Sequence, residues 1–524
     1  MTPDDVTYAF ILVISLLIGP FIQKCGKARP WCSATVGFLM VLFASGKAIW
    51  HSLLTSSVFT LTCLIFPARY GFSLILIGAS FEISDSWRID KQLLSSGIQP
   101  QDKSNLQLLK MYKSVKPSPL MIMSYAYSYI GLFTGPYYKL RTFEDFCNWD
   151  SAVSIINEEP LSQHLQEAPP FGVAYLILSH FFTVDYRVKQ ANGIQTMYVR
   201  TTEFYARHFC YRLFYMVIIF FTFRMRIYFA WKMAECVCMS AGLGLYPKLS
   251  EPKKGEGPTN LCALNLYKQQ QEENNVKLNT MNSSNHCPNI HGAHTLNPMY
   301  HSNLKKKPSS EIKPQTTIMY NYNTISNISV WGCEFAPTVR ESMKSWNCSV
   351  QYWLASYFYK RCNAPRNIRT LWTMLVSAYW HGVHAGYYLS FLTIPLALTA
   401  ESSLKSIVGL CENNLPTGSV SFLSWLLKMR VFEYCSMGFL ILDWQTTIAY
   451  WSSIYYCIHI ILITLILFEL FLRLVLPSRA FNLASSSSSS LKFSSASDFT
   501  VNNSSSHQTA NLQSSQHFVN KFKK

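Results

Sequence analysis

The sequence predicts an all-α polytopic membrane protein, and three observations carry that prediction. Charged residues make up only 14% of the 524-residue chain, while 49% is hydrophobic and 15% aromatic; an ordinary soluble domain has about a quarter of its residues charged. Charge-free runs near the about 17–25 residues that cross a bilayer recur at Val6–Gln23, Ala48–Ala68, Pro117–Tyr138 and Trp451–Phe468, with a longer one at Leu371–Ala400. Basic residues gather in short loops between runs, as at Lys24, Lys27 and Arg29 and again at Lys360, Arg361, Arg366 and Arg369, the pattern of the positive-inside bias. Shorter apolar runs at Trp31–Gly46, Tyr70–Phe81, Pro170–Val184, Leu213–Phe223 and Val431–Leu442 bring the expected total to roughly nine to eleven transmembrane helices.

Taken in order, the first run follows Met-Thr-Pro-Asp-Asp. It has neither a basic n-region nor a small-residue cleavage site, so it reads as a retained helix rather than a cleaved signal. The acidic start and the basic 24–29 loop place the N-terminus outside the cytosol. Arg473 and Arg479, after the last run, place the C-terminus in the cytosol. Residues 1–247 form an N-terminal set of transmembrane helices. Residues 248–340 read as a polar, low-complexity linker, with "KQQQEENN" and "LKKKPSS". A C-terminal set of helices occupies 341–477, and the Ser-rich tail 478–524, with "ASSSSSSLKFSSASDF", has the composition of disorder.

The net charge of +17 is spread among membrane segments rather than collected on one soluble face, which argues against nucleic acid. It fits loop bias and leaves room for an anionic ligand at the cytosolic face. The fifteen cysteines are scattered and form no secreted disulfide framework. "HCPNIHGAH" (His286–His294) has zinc-ligand residue types but lacks a second half, so it reads as polar linker and no metal is expected.

One stretch stands out. "SAYWHGVHAGYYLSF" (Ser377–Phe391) puts His381 and His384 in a run that excludes every charged side chain. A polar group buried there without a partner costs roughly 2–7 kcal/mol, so an intramembrane histidine needs a partner or a task. Upstream lies "SWNCSVQYWLASYFYK" (Ser345–Lys360), in which Asn347, Gln351 and Leu354 fall on one stripe of a helix. Chemically the pair suits acyl transfer. An alcohol needs a base as it attacks, and burial disfavours a charged imidazole, leaving a neutral one able to accept the proton. A carboxamide offers N–H donors to a carbonyl or developing oxyanion. Asn347 also begins a formal glycosylation sequon, as do Asn282, Asn327, Asn502 and Asn503, but its aromatic neighbours favour an internal position. The run Leu371–Ala400 would measure about 45 Å as one helix, longer than the ~30 Å hydrocarbon core. With Gly382, Gly386 and Pro395 inside it, a tilted or interrupted segment is expected.

"WN" at 346–347 followed by "SAYWHG" at 377–382 resembles the signature of the membrane-bound O-acyltransferases. "YSYIGLFTGPYYKLRTF" (Tyr127–Phe143), the block Arg212–Pro247, "GYYLSFLTIPL" (Gly386–Leu396) and "YWSSIYYCIHI" (Tyr450–Ile460) are similar to the lysophosphatidylinositol acyltransferase branch. The resemblance covers most of the chain to about residue 476 and departs at the long polar insertion and the tail. It implies a helical core enclosing a reaction chamber in the endoplasmic reticulum membrane. It implies His381 as general base and Asn347 as the positioning or oxyanion-supporting residue, with His384 structural. The substrates implied are acyl-CoA, with arachidonoyl a preferred chain, and lysophosphatidylinositol acylated at its sn-2 hydroxyl; no cofactor or metal is implied.

Around the pair, Trp346, Gln351 and Trp380 are expected to contact substrate. Arg224 and Arg226 in "FRMRIY", and Lys139 and Arg141 in "YYKLRTF", are the cations available to substrate phosphates. Gly135-Pro136 in "TGPYY" predicts a helix break, tolerated at membrane depth only against protein or a cavity. Two readings from other classes are weaker. A transporter lacks support because no internal repeat is visible, and a membrane di-iron enzyme needs several histidine boxes where HGVH supplies one.

Overall fold

The computed structural model describes residues 3–65, 74–94, 109, 112, 115–148, 159–182, 202–270, 319–410 and 417–476. The described residues are mostly helical. The N-terminal part contains α1 (Pro3–Lys24), α2 (Arg29–Ser45), α3 (Ile49–Ile65), α4 (Leu74–Leu94), α5 (Pro119–Tyr127), α6 (Leu140–Asn148), α7 (Glu159–Phe181), α8 (Thr202–Ala206) and α9 (Phe209–Ala241). Within the range 248–340 lies α10 (Val330–Phe335), and after it come α11 (Val339–Ser345), α12 (Cys348–Leu354), α13 (Arg366–His381), α14 (Ala385–Leu410), α15 (Thr417–Ile441), α16 (Trp444–Ser453) and α17 (Cys457–Val475). Among the described residues five stretches are long and apolar enough to cross a membrane: Asp5–Lys24, Gly26–Val58, Phe209–Ala241, Ala385–Leu410 and Cys457–Val475. The protein is a multi-pass, all-α membrane protein.

Local chemistry sets the helix ends. Ser118 Oγ accepts from Met121 N–H at 3.2 Å, with Pro119 at the first helical position of α5, and Asp443 Oδ2 accepts from Thr446 N–H at 2.9 Å to start α16. Both are side-chain caps for orphan N–H groups. At the far end of α9, Gly242 turns left-handed (φ 81°) and its N–H returns to the Met239 carbonyl, the usual glycine exit from a helix.

Two apolar cores share α9. Its C-terminal half packs Met233, Val237 and Met239 with α1, α2, α5 and α6, while its N-terminal half packs Tyr215, Met216 and Ile219 with α14, α15 and α17. A two-residue antiparallel pairing, Tyr246–Pro247 with Tyr320–Asn321, brings the chain back to α9 after the polar segment, and Tyr322 Oη donates to the Met239 carbonyl at 3.3 Å.

The run Pro117–Tyr138 does not form one span. Its helix, α5, ends at Tyr127, and the chain continues through turns with Thr134 (φ 49°) and Gly131 (φ 81°) left-handed. The break therefore begins before Gly135-Pro136. Buried irregular backbone needs partners, and tyrosines supply them: Tyr125 Oη donates to the Tyr138 carbonyl (2.6 Å) and Tyr138 Oη to the Ile130 carbonyl (2.7 Å). The run Leu371–Ala400 is interrupted as its length and glycines predict. The first helix, α13, ends at His381, and α14 begins at Ala385. The histidine cluster of 286–294 lies outside the described residues.

Candidate active site

Asn347 precedes α12 rather than lying within it, and its backbone is left-handed (φ 48°, ψ 53°). Asn is among the few non-glycine residues that take this conformation readily. The position is held from outside the helix. Glu235 on α9, 0% exposed, accepts from Asn327 N–H (2.5 Å) and Ile328 N–H (3.0 Å). Asn327 then binds the start of α12. Its carbonyl accepts from Cys348 N–H at 2.7 Å, and its Oδ1 accepts from Ser349 N–H at 3.2 Å and Ser349 Oγ at 2.5 Å. From the other side Tyr137 N–H, in the "TGPYY" turn, donates to Ser349 Oγ at 2.8 Å. Asn327 is itself 1% exposed, so this sequon has no room for a glycan. The Asn347 carboxamide caps nothing and makes no hydrogen bond among the described residues. Beside it, Trp346 packs edge-on against Trp231 (4.9 Å) and Tyr228 (5.9 Å) of α9.

His381 is the last residue of α13. Gly382, at φ 138°, donates its N–H to the Ala378 (3.2 Å) and Tyr379 (3.1 Å) carbonyls and turns the chain towards α14. The imidazole is half-buried in aromatic walls, with centroids 4.5 Å from Trp380, 5.0 Å from Phe439, 5.1 Å from Phe391 and 5.6 Å from Tyr387. Neither ring nitrogen is hydrogen-bonded, and no carboxylate pairs with the ring, among the described residues. Close packing of α14 and α15 builds the wall: a Cβ on Gly386 would sit 2.1 Å from the Gly438 carbonyl oxygen, and Ser390 Oγ donates to the Cys435 carbonyl at 2.7 Å. That approach delivers Phe439, the neighbour of Gly438, to the histidine.

Both arms rest on α9. Phe223 touches Phe439 at 5.9 Å, while Tyr228 and Trp231 touch Trp346. Positions 223 and 228–231 lie about 8–12 Å apart along the helix at 1.5 Å per residue. The arrangement offers a carboxamide and an imidazole, both without a hydrogen-bond partner among the described residues, backed by one helix. A group with unspent donors and acceptors in an apolar setting can meet a substrate without first losing a bond.

The other expected site residues separate into three groups. Gln351 and Trp380 stay with the pair: Gln351 Nε2 donates to the Trp346 carbonyl at 2.8 Å, and Trp380 flanks His381. Arg224 is buried on α9, its Nε 2.9 Å from Glu334 Oε1. Elsewhere, Arg226 turns to Asp5 of α1 (2.5 Å), Arg141 pairs with Glu144 (3.6 Å) and Asp145 (3.3 Å), and Lys139 lies over the Tyr352 ring at 5.1 Å. His384 is exposed and touches only Tyr387 among the described rings, at 6.1 Å. Asn327, Glu235, Phe439 and Glu334 are contributors that the sequence did not single out; the sequon at Asn327 was the only local signal among them.

A model of the membrane-bound O-acyltransferase family matches residues 51–412. The chain belongs to that family. It is accordingly an O-acyltransferase, and its matched region contains both Asn347 and His381. Among curated proteins it is 35% identical over 92% of its length, and 97% of the relative's, to membrane-bound acylglycerophosphatidylinositol O-acyltransferase mboat7 of Xenopus laevis. It is 33% identical to the human protein of the same name, over 88% of this chain and 92% of the relative. A Drosophila melanogaster relative, the acylglycerophosphatidylinositol O-acyltransferase frj, is 26% identical over 87% of this chain and 90% of the relative.

Proposed function

We propose that this O-acyltransferase moves an acyl chain, arachidonoyl by preference, from acyl-CoA to the sn-2 hydroxyl of lysophosphatidylinositol in the endoplasmic reticulum membrane. The names of its relatives support the acceptor, and the imidazole of His381, without a hydrogen-bond partner among the described residues, is the observation that carries the chemistry. His381 takes the proton of the attacking hydroxyl as its oxygen bonds to the thioester carbonyl carbon. The Asn347 N–H donors support the oxyanion. Collapse breaks the C–S bond, and the imidazolium returns the proton to the leaving CoA thiolate. The transfer needs no metal or resident cofactor, since acyl-CoA enters as co-substrate and CoA leaves. The C-terminus lies in the cytosol, a reading supported by Arg473 at the end of α17.

The test is expression in cells lacking the activity, with membranes given labelled arachidonoyl-CoA and a panel of lysophospholipids. Product confined to phosphatidylinositol, and absent with His381→Ala, establishes acceptor and base together. Product on another headgroup discards the acceptor and keeps the chemistry. Wild-type turnover by His381→Ala removes the histidine from the mechanism.

A further inference from the structure

A cleft of ≈ 380 Å³ opens between α7, α9, α10 and α15. Its rim is apolar and includes Phe182 and Phe221, 36% and 39% exposed on the outer surface of the helices. Four charged residues stand in its otherwise apolar lining: Arg224 and Glu334 from α9 and α10, Arg430 and Glu433 from α15. Two of these are deeply buried, Arg224 at 6% and Glu433 at 1% exposed. The charges pair among themselves, Arg224 Nε with Glu334 Oε1 (2.9 Å) and Arg430 Nη2 with Glu433 Oε1 (2.6 Å). The pairing is incomplete. Among the described residues, Arg224 Nη1, Arg430 Nε and Glu433 Oε2 are buried without a hydrogen-bond partner, and buried charged groups are rarely left so unless a ligand or solvent completes them.

We propose that this cleft binds the headgroup of the acyl acceptor, with a single phosphate against Arg224 Nη1 and headgroup hydroxyls donating to Glu433 Oε2. The assignment rests on the acceptor being a lysophospholipid, and it adds where and by what contacts its headgroup is read. Charge balance separates it from the other phosphate-bearing substrate. Arg224 and Arg430 face Glu334 and Glu433, with Lys428 Nζ behind them bonded to the Cys333 and Glu334 carbonyls at 3.0 Å. This near-balance suits a ligand presenting one anionic acceptor together with neutral donors, whereas the several phosphates of CoA call for a larger excess of cations. The apolar rim admits a lipid sideways from the bilayer.

The cleft also shares α9 with the contacts that back both reacting positions. Arg224 follows Phe223, whose ring meets Phe439, the wall of His381. Glu334 Oε1 accepts from Tyr228 Oη at 2.7 Å, and the Tyr228 ring meets Trp346 beside Asn347. Headgroup contact at Arg224 and the aromatic supports of both reacting positions are thus carried by one helix, so binding there bears on how the acceptor is presented.

The full chain in lipid nanodiscs tests this with lysophosphatidylinositol as substrate and lysophosphatidic acid, which has the phosphate without ring hydroxyls, as competitor. Arg224→Gln is expected to raise both the KM for lysophosphatidylinositol and the Ki of lysophosphatidic acid by about tenfold or more. The KM for acyl-CoA stays unchanged, and Arg224→Lys recovers part of the loss. Glu433→Gln keeps the volume and is expected to raise only the lysophosphatidylinositol KM, leaving the competitor's Ki alone. If Arg224→Gln does not fold, Glu433→Gln decides the matter, and an unchanged KM overturns the assignment. A shift in the acyl-CoA KM instead, or an equal fall in kcat with no change in either constant, also overturns it. A wild type active on lysophosphatidylinositol but indifferent to both substitutions sinks the cleft alone. A well-folded wild type inactive on that acceptor sinks the acceptor reading and the cleft with it.

Discussion

Replacing Asn327 with alanine tests how the site is held, because Asn327 touches no reacting group and yet fixes the residue before α12. The side chain accepts two hydrogen bonds, from Ser349 N–H (3.2 Å) and Ser349 Oγ (2.5 Å). Ser349 is 0% exposed, so water cannot replace them. A buried donor left unsatisfied costs about 1–3 kcal/mol, which puts Asn327→Ala at about 2–6 kcal/mol less stable. Ser349→Ala alone removes the acceptor of the buried Tyr137 N–H and costs about 1–3 kcal/mol. In the double variant the hydroxyl that Asn327→Ala would strand is already gone, so the two losses are sub-additive, with a coupling of about 0.5–3 kcal/mol. Thermal inactivation in detergent, read by intrinsic fluorescence for all four proteins, gives the stability side of the cycle. Kinetics give the functional side: the start of α12 loses its side-chain ties at Ser349, two residues from Asn347, while the Cys348 N–H bond to the residue-327 carbonyl remains, so kcat falls by a larger factor than either KM rises. Additive stability losses, or wild-type kcat in Asn327→Ala, would refute the claim that the Glu235–Asn327–Ser349 chain positions Asn347.

The remaining predictions address the pair itself and its supports. Asn347→Gly and Asn347→Ala should both lower turnover by about 10²-fold or more, but only alanine should also lower the thermal midpoint, since a left-handed backbone costs it about 1–2 kcal/mol. Gly382→Ala, at φ 138° with Tyr387 3.3 Å from the new Cβ, should shift His381 and reduce kcat in a protein that still elutes as folded; unchanged kcat would show that the turn does not aim the imidazole. His384→Ala should retain most activity in the same membranes where His381→Ala retains none, and the reverse order would exchange their roles. Burial, opposed by Arg141 and reinforced by Asp145, pushes the Glu144 carboxyl up from 4.5 to about 7 on α6, outside the five candidate spans. The native state then holds the proton more tightly than the unfolded chain, so stability falls as pH rises from about 4.5 to about 7. Glu144→Gln should remove that part of the slope, measured as the thermal midpoint at pH 5 and pH 8.

What the sequence made legible follows from contrast. His381 is a polar residue in a run that otherwise excludes charge, and a costly exception can be seen without knowing any neighbour. Asn347, in a more polar stretch beside Lys344, was legible through its helical stripe with Gln351 and Leu354 and through the WN resemblance. The interruption at Gly382 was legible for a related reason, because a run of about 45 Å cannot fit straight into a core of ~30 Å. The break after Tyr127 was misplaced toward Gly135-Pro136 because proline is a local signal. The hydroxyls of Tyr125 and Tyr138, which let buried turns begin earlier, act only once the chain has folded back.

The walls and supports of the site were hidden because their meaning is pairwise. Phe439 is one of 34 phenylalanines, and nothing local separates it from a lipid-facing ring. It becomes a wall of His381 only because Gly386 and Gly438 let α14 and α15 approach until a Cβ would overlap a carbonyl. Glu433 sits in a stretch that reads as an apolar run, and Arg224 in one that reads equally well as a snorkelling cation. Only the fold shows both aimed into one cleft with valences unspent. The same helix, α9, carries the Phe223 contact to the histidine arm, the Tyr228 contact to the asparagine arm and Arg224 between them in sequence. A shift of α9 would therefore disturb headgroup contact and both reacting positions together. Substitutions on this face of α9 should accordingly change acceptor choice and turnover jointly, whereas substitutions at Glu433 alone should change acceptor choice and leave turnover at saturation intact.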